Sequence, residues 1–143
     1  MHYAYPVSLE PDDDGVVVVS FPDVPEAHSQ GEDREDALEQ AEDALVVALG
    51  LYVDDGAALP RPSAADGRPV VAVPARVAAK LALYDEVRAA GLTKTGLARR
   101  LGIPDTEARR LLDLDHPTKM DRLERVLASF GVELVVTTQK VEA

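Results

Sequence analysis

Two kinds of side chain could do chemistry in this sequence: carboxylates and arginines. Twenty-six Asp and Glu residues stand against fifteen Lys and Arg. Carboxylates that converge from separate strands can hold magnesium for phosphodiester hydrolysis. These do not converge. Asp12, Asp13 and Asp14 are consecutive, which suits a turn, whereas a calcium loop needs acids at alternate positions and a bidentate acid later. The acids between Glu32 and Asp43 spread over a helix surface. His2, His28 and His116 are isolated from one another, and none has a serine or carboxylate partner at a recognisable spacing. With no cysteine, thiolate metal sites and disulfides are excluded. The expectation is a protein that is not an enzyme, with no catalytic residue, no metal and no cofactor.

The arginines are arranged more tellingly. Arg99 and Arg100, then Arg109 and Arg110, lie in the stretch TKTGLARRLGIPDTEARRLLD, residues 93–113. An arginine can bond both acceptors on one guanine edge, worth about 1–3 kcal/mol of discrimination per good pair. Presenting it requires a short helix held at a fixed angle to another, and the stretch reads as that unit. Ala98 is small enough for two helices to cross above it. Gly102, four residues on, supplies the left-handed conformation needed between them. Leu97, Leu101, Ile103, Ala108 and Leu111 take the internal positions of a helix-turn-helix.

The second helix would then present Asp105, Thr106, Arg109 and Arg110 to the major groove. Lys94, Thr95, Arg99, Arg100 and Lys119 flank it, within reach of phosphates. Asp105 and Glu107 oppose a DNA backbone electrostatically. Asp105 also suits an N-cap, and Glu107 can accept from a cytosine amino group. The competing reading is a helix-turn-helix that only packs or dimerises.

The elements ahead of this unit are of another kind. Residues 2–9 alternate weakly and 16–21 are nearly all β-branched, with the hairpin signal EPDDDG between them. FPDVPEAHSQG, 21–31, breaks the strand with two prolines and leaves room for a short third strand before a helix over 32–50. Ala37, Leu38, Ala41, Leu45, Ala48 and Leu49 share one face of that helix, which ends at Gly50 or runs on to Asp54–Gly56. A loop containing ALPRPSAADGRP and a strand, VVAV at 70–73, follow. From Pro74, as first helical residue, a helix runs to Gly91 with its apolar face on Val77, Leu81, Tyr84 and Val87, or on Leu83, Val87 and Ala90.

The fold class expected is α+β. A small antiparallel N-terminal sheet carries one packed helix (residues 1–74), and an all-α helix-turn-helix module with a short terminal strand follows (75–143). With no Trp and only two Phe, the core must be built from Val, Leu and Ala. That terminal strand, VELVVTTQ at 132–139, has no neighbour of its own, so the twin strand of a second subunit is the expected partner.

Charge divides along the same line. Residues 1–66 hold sixteen acids and two bases, a net of −14; residues 67–143 hold thirteen bases and ten acids, a net of +3. The first half would repel nucleic acid and attract a basic partner, and the second tolerates a phosphate backbone. The start MHYAYPVSLEPDDD lacks a basic and then apolar leader, and no apolar run reaches about 20 residues, so a soluble cytoplasmic protein without a membrane partner is expected.

Several blocks together resemble a known family. These are the strand pair, FPDVPEAHSQG, the acidic helix EDREDALEQAEDALVVAL, LPRPS at 59–63, and LYDEVRAAGLTKTGLARRLGIPDTEARRLLDLDHPTKMDRLERVLASFGVELVV. In this order, over nearly the full length, they are similar to HicB-type antitoxins of the subgroup with a C-terminal helix-turn-helix. The resemblance implies an N-terminal module of partial ribonuclease H fold that covers HicA, a small mRNA-cleaving toxin with a catalytic histidine. It also implies a C-terminal module that binds an inverted-repeat operator as a homodimer or tetramer and represses the operon. The toxin-facing candidates are Asp23, Glu26, His28, Glu32, Asp33, Glu35 and Asp36. Pro25–Glu26 departs from the family's usual Pro-Gly, so the turn there should use ordinary backbone angles. A stand-alone regulator with a ligand-sensing N-terminal module is the alternative.

Overall fold

The computed structural model describes residues 2–140. The elements run β1 (Ala4–Pro6), β2 (Ser8–Pro11), β3 (Val17–Ser20), β4 (His28–Gly31), α1 (Arg34–Asp54), β5 (Val70–Ala72), α2 (Ala75–Ala89), α3 (Lys94–Leu101), α4 (Asp105–Leu112) and α5 (Met120–Ser129). The fold is α+β, as the patterns predict.

The hairpin forms where the aspartates are. β2 and β3 pair antiparallel with Leu9 opposite Val19, and Asp12 Oδ1 closes the turn by accepting the amides of Asp14 and Val16, each at 2.9 Å. β4 extends this to three strands, and β1 pairs antiparallel with β5, Tyr5 opposite Val71. FPDVPEAHSQG makes two successive turns, with the Val24 amide on the Phe21 carbonyl and the Ala27 amide on the Val24 carbonyl. These turns drive Phe21, Val24 and Ala27 into the core while the residues between them stay outside or half-buried. Glu26 is not at positive φ; among the described residues Asp66 alone of the non-glycines is.

Helix α1 lays Ala37, Ala41, Leu45, Ala48, Leu49 and Val53 on the sheet. It runs through Gly50 to Asp54, the longer of the two expected ends. A mid-helix glycine costs about 1 kcal/mol, and buried Leu49 and Val53 on either side hold the turn together. Gly31 is needed for space rather than for its φ: a Cβ there would collide with the Ala37 backbone in the first turn of α1.

Helix α2 begins one residue later than expected, with Pro74 as its N-cap. Both candidate apolar faces are buried, since Val77, Ala79, Lys80, Leu81, Leu83, Tyr84 and Val87 are all inside, whereas Ala90 is exposed. The reason is that α2 lies between two layers. One side meets the N-terminal module, where Tyr84 Oη donates to the Ala57 carbonyl at 2.7 Å and Asp85 accepts from Tyr3 Oη at 2.6 Å. The other side packs on α4 and α5. A single continuous core results, with Tyr5, Phe21 and a series of leucines at its centre.

The terminal strand does not form within the chain. Residues 132–140 carry no regular secondary structure; Val132 and Leu134 are half-buried, and Val135 and Val136 are 68% and 69% exposed. A strand requires a neighbour to take its backbone hydrogen bonds.

Candidate functional site

Two short helices, α3 and α4, meet at a tight turn at Gly102. Thr93 caps α3, its Oγ1 accepting the Gly96 amide at 3.0 Å. Gly102 takes φ 67°, ψ 36°, the left-handed turn between the helices. Leu97, Ala98, Ala108 and Leu111 are buried, with Leu101 and Ile103 half-buried around them. Pro104, not Asp105, is the N-cap of α4, and it offers no side-chain hydrogen bond. Asp105 is the first helical residue, so its carboxylate favours the helix dipole without closing an amide.

On the exposed surface of this unit stand Thr95, Arg99, Asp105, Thr106, Arg109 and Arg110, with Lys94 half-buried at the start of α3 and Lys119 exposed at the N-cap of α5. Arg99 and Arg109 have no side-chain partner among the described residues. Arg100 is differently placed. Its guanidinium stacks 3.9 Å from the Phe130 ring centroid and donates to the Ser129 carbonyl at 3.2 Å, so it fastens α3 to the end of α5. Beside α4 lies a cleft of about 500 Å³ lined by Arg110, His116, Lys119, Arg122 and Arg125 among others. Glu107 belongs to it too, paired with Arg122 at 3.3 Å, which cancels part of its repulsion toward phosphate.

The acidic face separates into structural acids and unengaged ones. Asp33 is the N-cap of α1 and accepts the Asp36 amide at 2.8 Å, while Asp36 reaches back to the Glu32 amide at 2.9 Å. Together they close the start of α1 much as a capping box does. Asp23 accepts the Ser63 amide and hydroxyl at 2.9 and 2.8 Å, which pins the loop before β5 and holds its carboxyl below the usual range. Glu26, the unusual residue of its turn, accepts Tyr52 Oη at 2.8 Å, tying the turn to the far end of α1. His28, Glu32 and Glu35 are exposed and have no side-chain partner among the described residues. The same outer surface of α1 continues through Glu39, Glu42 and Asp43 to Val47 and Leu51, which are 66% and 52% exposed. Among the described residues no group of three or more His, Asp or Glu is placed to hold a metal ion, and no helix is long and apolar enough to cross a membrane.

Sequence reasoning missed the polar ties of α2. Arg61 pairs with Asp85 at 3.1 Å, joining the loop before β5 to α2. Lys80 is completely buried, with Nζ donating to the carbonyls of Arg110 and Asp113, each at 2.7 Å. Burial pushes its pKa down to about 8, the charge of Asp113 partly opposing the shift. The available signal was a lysine set among the apolar residues Ala78, Ala79, Leu81 and Ala82 of α2.

A small α+β module with one acidic outer helix, sharing its core with the short helices α3, α4 and α5, defines the class of protein. Residues 4–82 match the model of the HicB-like antitoxins of bacterial toxin–antitoxin systems. Antitoxin HicB 1 of Photorhabdus laumondii is 41% identical over 135 residues, 94% of this chain and 86% of that one. Antitoxin HicB of Escherichia coli K12 is 40% identical over 131 residues, 91% and 95% of the two chains. Antitoxin HicB of Pseudomonas fluorescens is 36% identical over 139 residues, 96% and 93%. The chain belongs to the HicB-like antitoxin family, a family of antitoxins and not of enzymes.

Proposed function

We propose that this protein neutralises a HicA-type ribonuclease toxin with its N-terminal module and represses its own operon with its C-terminal one. The functional division falls at residues 1–74 and 75–143, with α2 as the shared beam between them. The reading is carried by the unengaged acids: Glu32 and Glu35, continuing into Glu39, Glu42 and Asp43, face outward with no side-chain partner among the described residues. Self-repulsion of this kind costs stability and is relieved when a basic partner binds. A nuclease that grips RNA presents such a basic surface, and the acids of α1 mimic its substrate.

Repression draws on the open presentation of Thr106 and Arg109 beside the left-handed turn at Gly102. A homodimer, with tetramers built on it, places two such units on an inverted repeat in the cytoplasm; the unpaired segment 132–139 supplies the dimer seam. The test is co-expression with the small basic protein of the neighbouring reading frame. Wild type restores growth, and the variant Glu32→Lys/Glu35→Lys/Glu39→Lys, folded by circular dichroism, fails to. Undiminished rescue by that variant removes the mimic.

A further inference from the structure

We propose that Lys80 is a positioning residue for the DNA-reading helix α4: from inside the core it grips the carbonyls of Arg110 and Asp113 and fixes the rotation of α4 about its own axis. The inference rests on the reading of α4 as a DNA-reading helix. Lys80 is fully buried on α2, and both of its hydrogen bonds, 2.7 Å each, go to the C-terminal end of α4. Among the described residues no carboxylate side chain bonds it; the ammonium is satisfied by backbone carbonyls left over at a helix end, where the dipole is negative. Burying a charge this way is expensive, and a methionine would fill the same volume without that cost. Its use must therefore lie in what an apolar side chain cannot do, which is direction.

α4 combines the shortness of α3 with the uncapped start of α2 and α5. It has eight residues, too few to be stable alone, and its N-cap Pro104 makes no side-chain hydrogen bond. Ala108, Leu111 and Leu112 seat it on the core and choose the face that points inward, but three apolar contacts leave room for small repacking shifts that a directed hydrogen bond does not. A rotation of about 20° swings a side-chain atom roughly 6 Å from the axis by roughly 2 Å, enough to break a bidentate contact to guanine. The gripped carbonyl belongs to Arg110 and directly follows Arg109, and both arginines are exposed.

The experiment compares the full chain with Lys80→Met for binding to a duplex of its own promoter and to a scrambled duplex of equal length. The expected result is a loss of about tenfold or more on the promoter, the worth of one base contact. Binding to the scrambled duplex, which depends on phosphates, should stay within about twofold. Rescue from the toxin should be retained. Equal losses on both duplexes, or no loss on either, overturn the proposal. Should Lys80→Met not fold, Lys80→Gln, whose amide stops one atom short of the ammonium and so loses both carbonyls while staying polar, gives the same readout; if neither folds, Lys80 serves general stability and the proposal is overturned. If wild type itself fails to distinguish the duplexes, the DNA reading fails by itself. Amide exchange then decides on Lys80: faster exchange confined to α4 in the variant keeps its positioning role, and unchanged exchange ends it.

Discussion

A buried lysine that keeps carbonyls and not carboxylates for company leaves a signature in the pH dependence of stability. In the folded chain Lys80 titrates near 8, below the ordinary lysine value of 10.5, because burial disfavours the charged form. Between these values the unfolded state binds more protons, so the contribution of Lys80 rises as pH rises through that window and is lost as pH falls through 8. The stability lost in Lys80→Met should therefore grow between pH 8 and 10, by on the order of 2 kcal/mol, in urea unfolding at the two pH values. Tyr5, pushed up to about 12 by burial, works in the opposite sense above pH 10, but it is common to both proteins and cancels in the difference.

The acids of α1 make a second residue-scale contrast. Asp33→Ala removes an N-cap and should cost about 1 kcal/mol in thermal unfolding, whereas Glu35→Lys should leave the melting point nearly unchanged and weaken rescue from the toxin. Their types and positions were legible in the sequence; their roles were not, because Asp33 and Glu35 look alike until one is seen to hold an amide.

At the scale of elements, periodicity carries far where one face is buried and fails where two are. The buried stripe of α1 was readable from Ala37 to Leu49, since the other side of the helix is acidic. On α2 two alternative stripes looked equally good because both are buried, and Lys80 lies between them. β4 left only a weak mark, HSQG, since its place is set by pairing with β3 and by the crossing of α1 over Gly31. That crossing yields a sharp prediction. Gly31 has no special φ, so propensity alone would let alanine in, yet its Cβ would meet the Ala37 backbone, which cannot swing aside as a side chain could. Gly31→Ala should cost about 2–3 kcal/mol, or roughly 5–10 °C in melting temperature for a chain of this size. Gly50→Ala is its control. A Cβ there makes ordinary contact with Leu114 Cδ1 at 3.8 Å, and the change should stabilise α1 slightly.

At the scale of the whole molecule, the proposed repression of an inverted repeat requires two copies of α4, and one chain supplies one. Residues 132–139 alternate as a strand, and in the chain alone they have no ladder partner, with Val135 and Val136 turned to solvent. Backbone donors and acceptors in such a row are satisfied most economically by the same row from a second copy, related by a two-fold axis, because each residue then finds its own equivalent opposite. The two-fold axis would also place two copies of α4 on successive turns of an inverted repeat. The half-buried Val132 and Leu134 belong to the chain's own core, and the proposed seam is made by the residues beyond them. Truncation after Leu134 should therefore leave the fold and rescue from the toxin intact while light scattering shows a monomer. Promoter affinity should fall by about a hundredfold or more, since the second helix no longer arrives at high effective concentration. A truncated chain that stays dimeric would move the seam elsewhere, and the exposed Val47 and Leu51 on the outer face of α1 would be the next place to test.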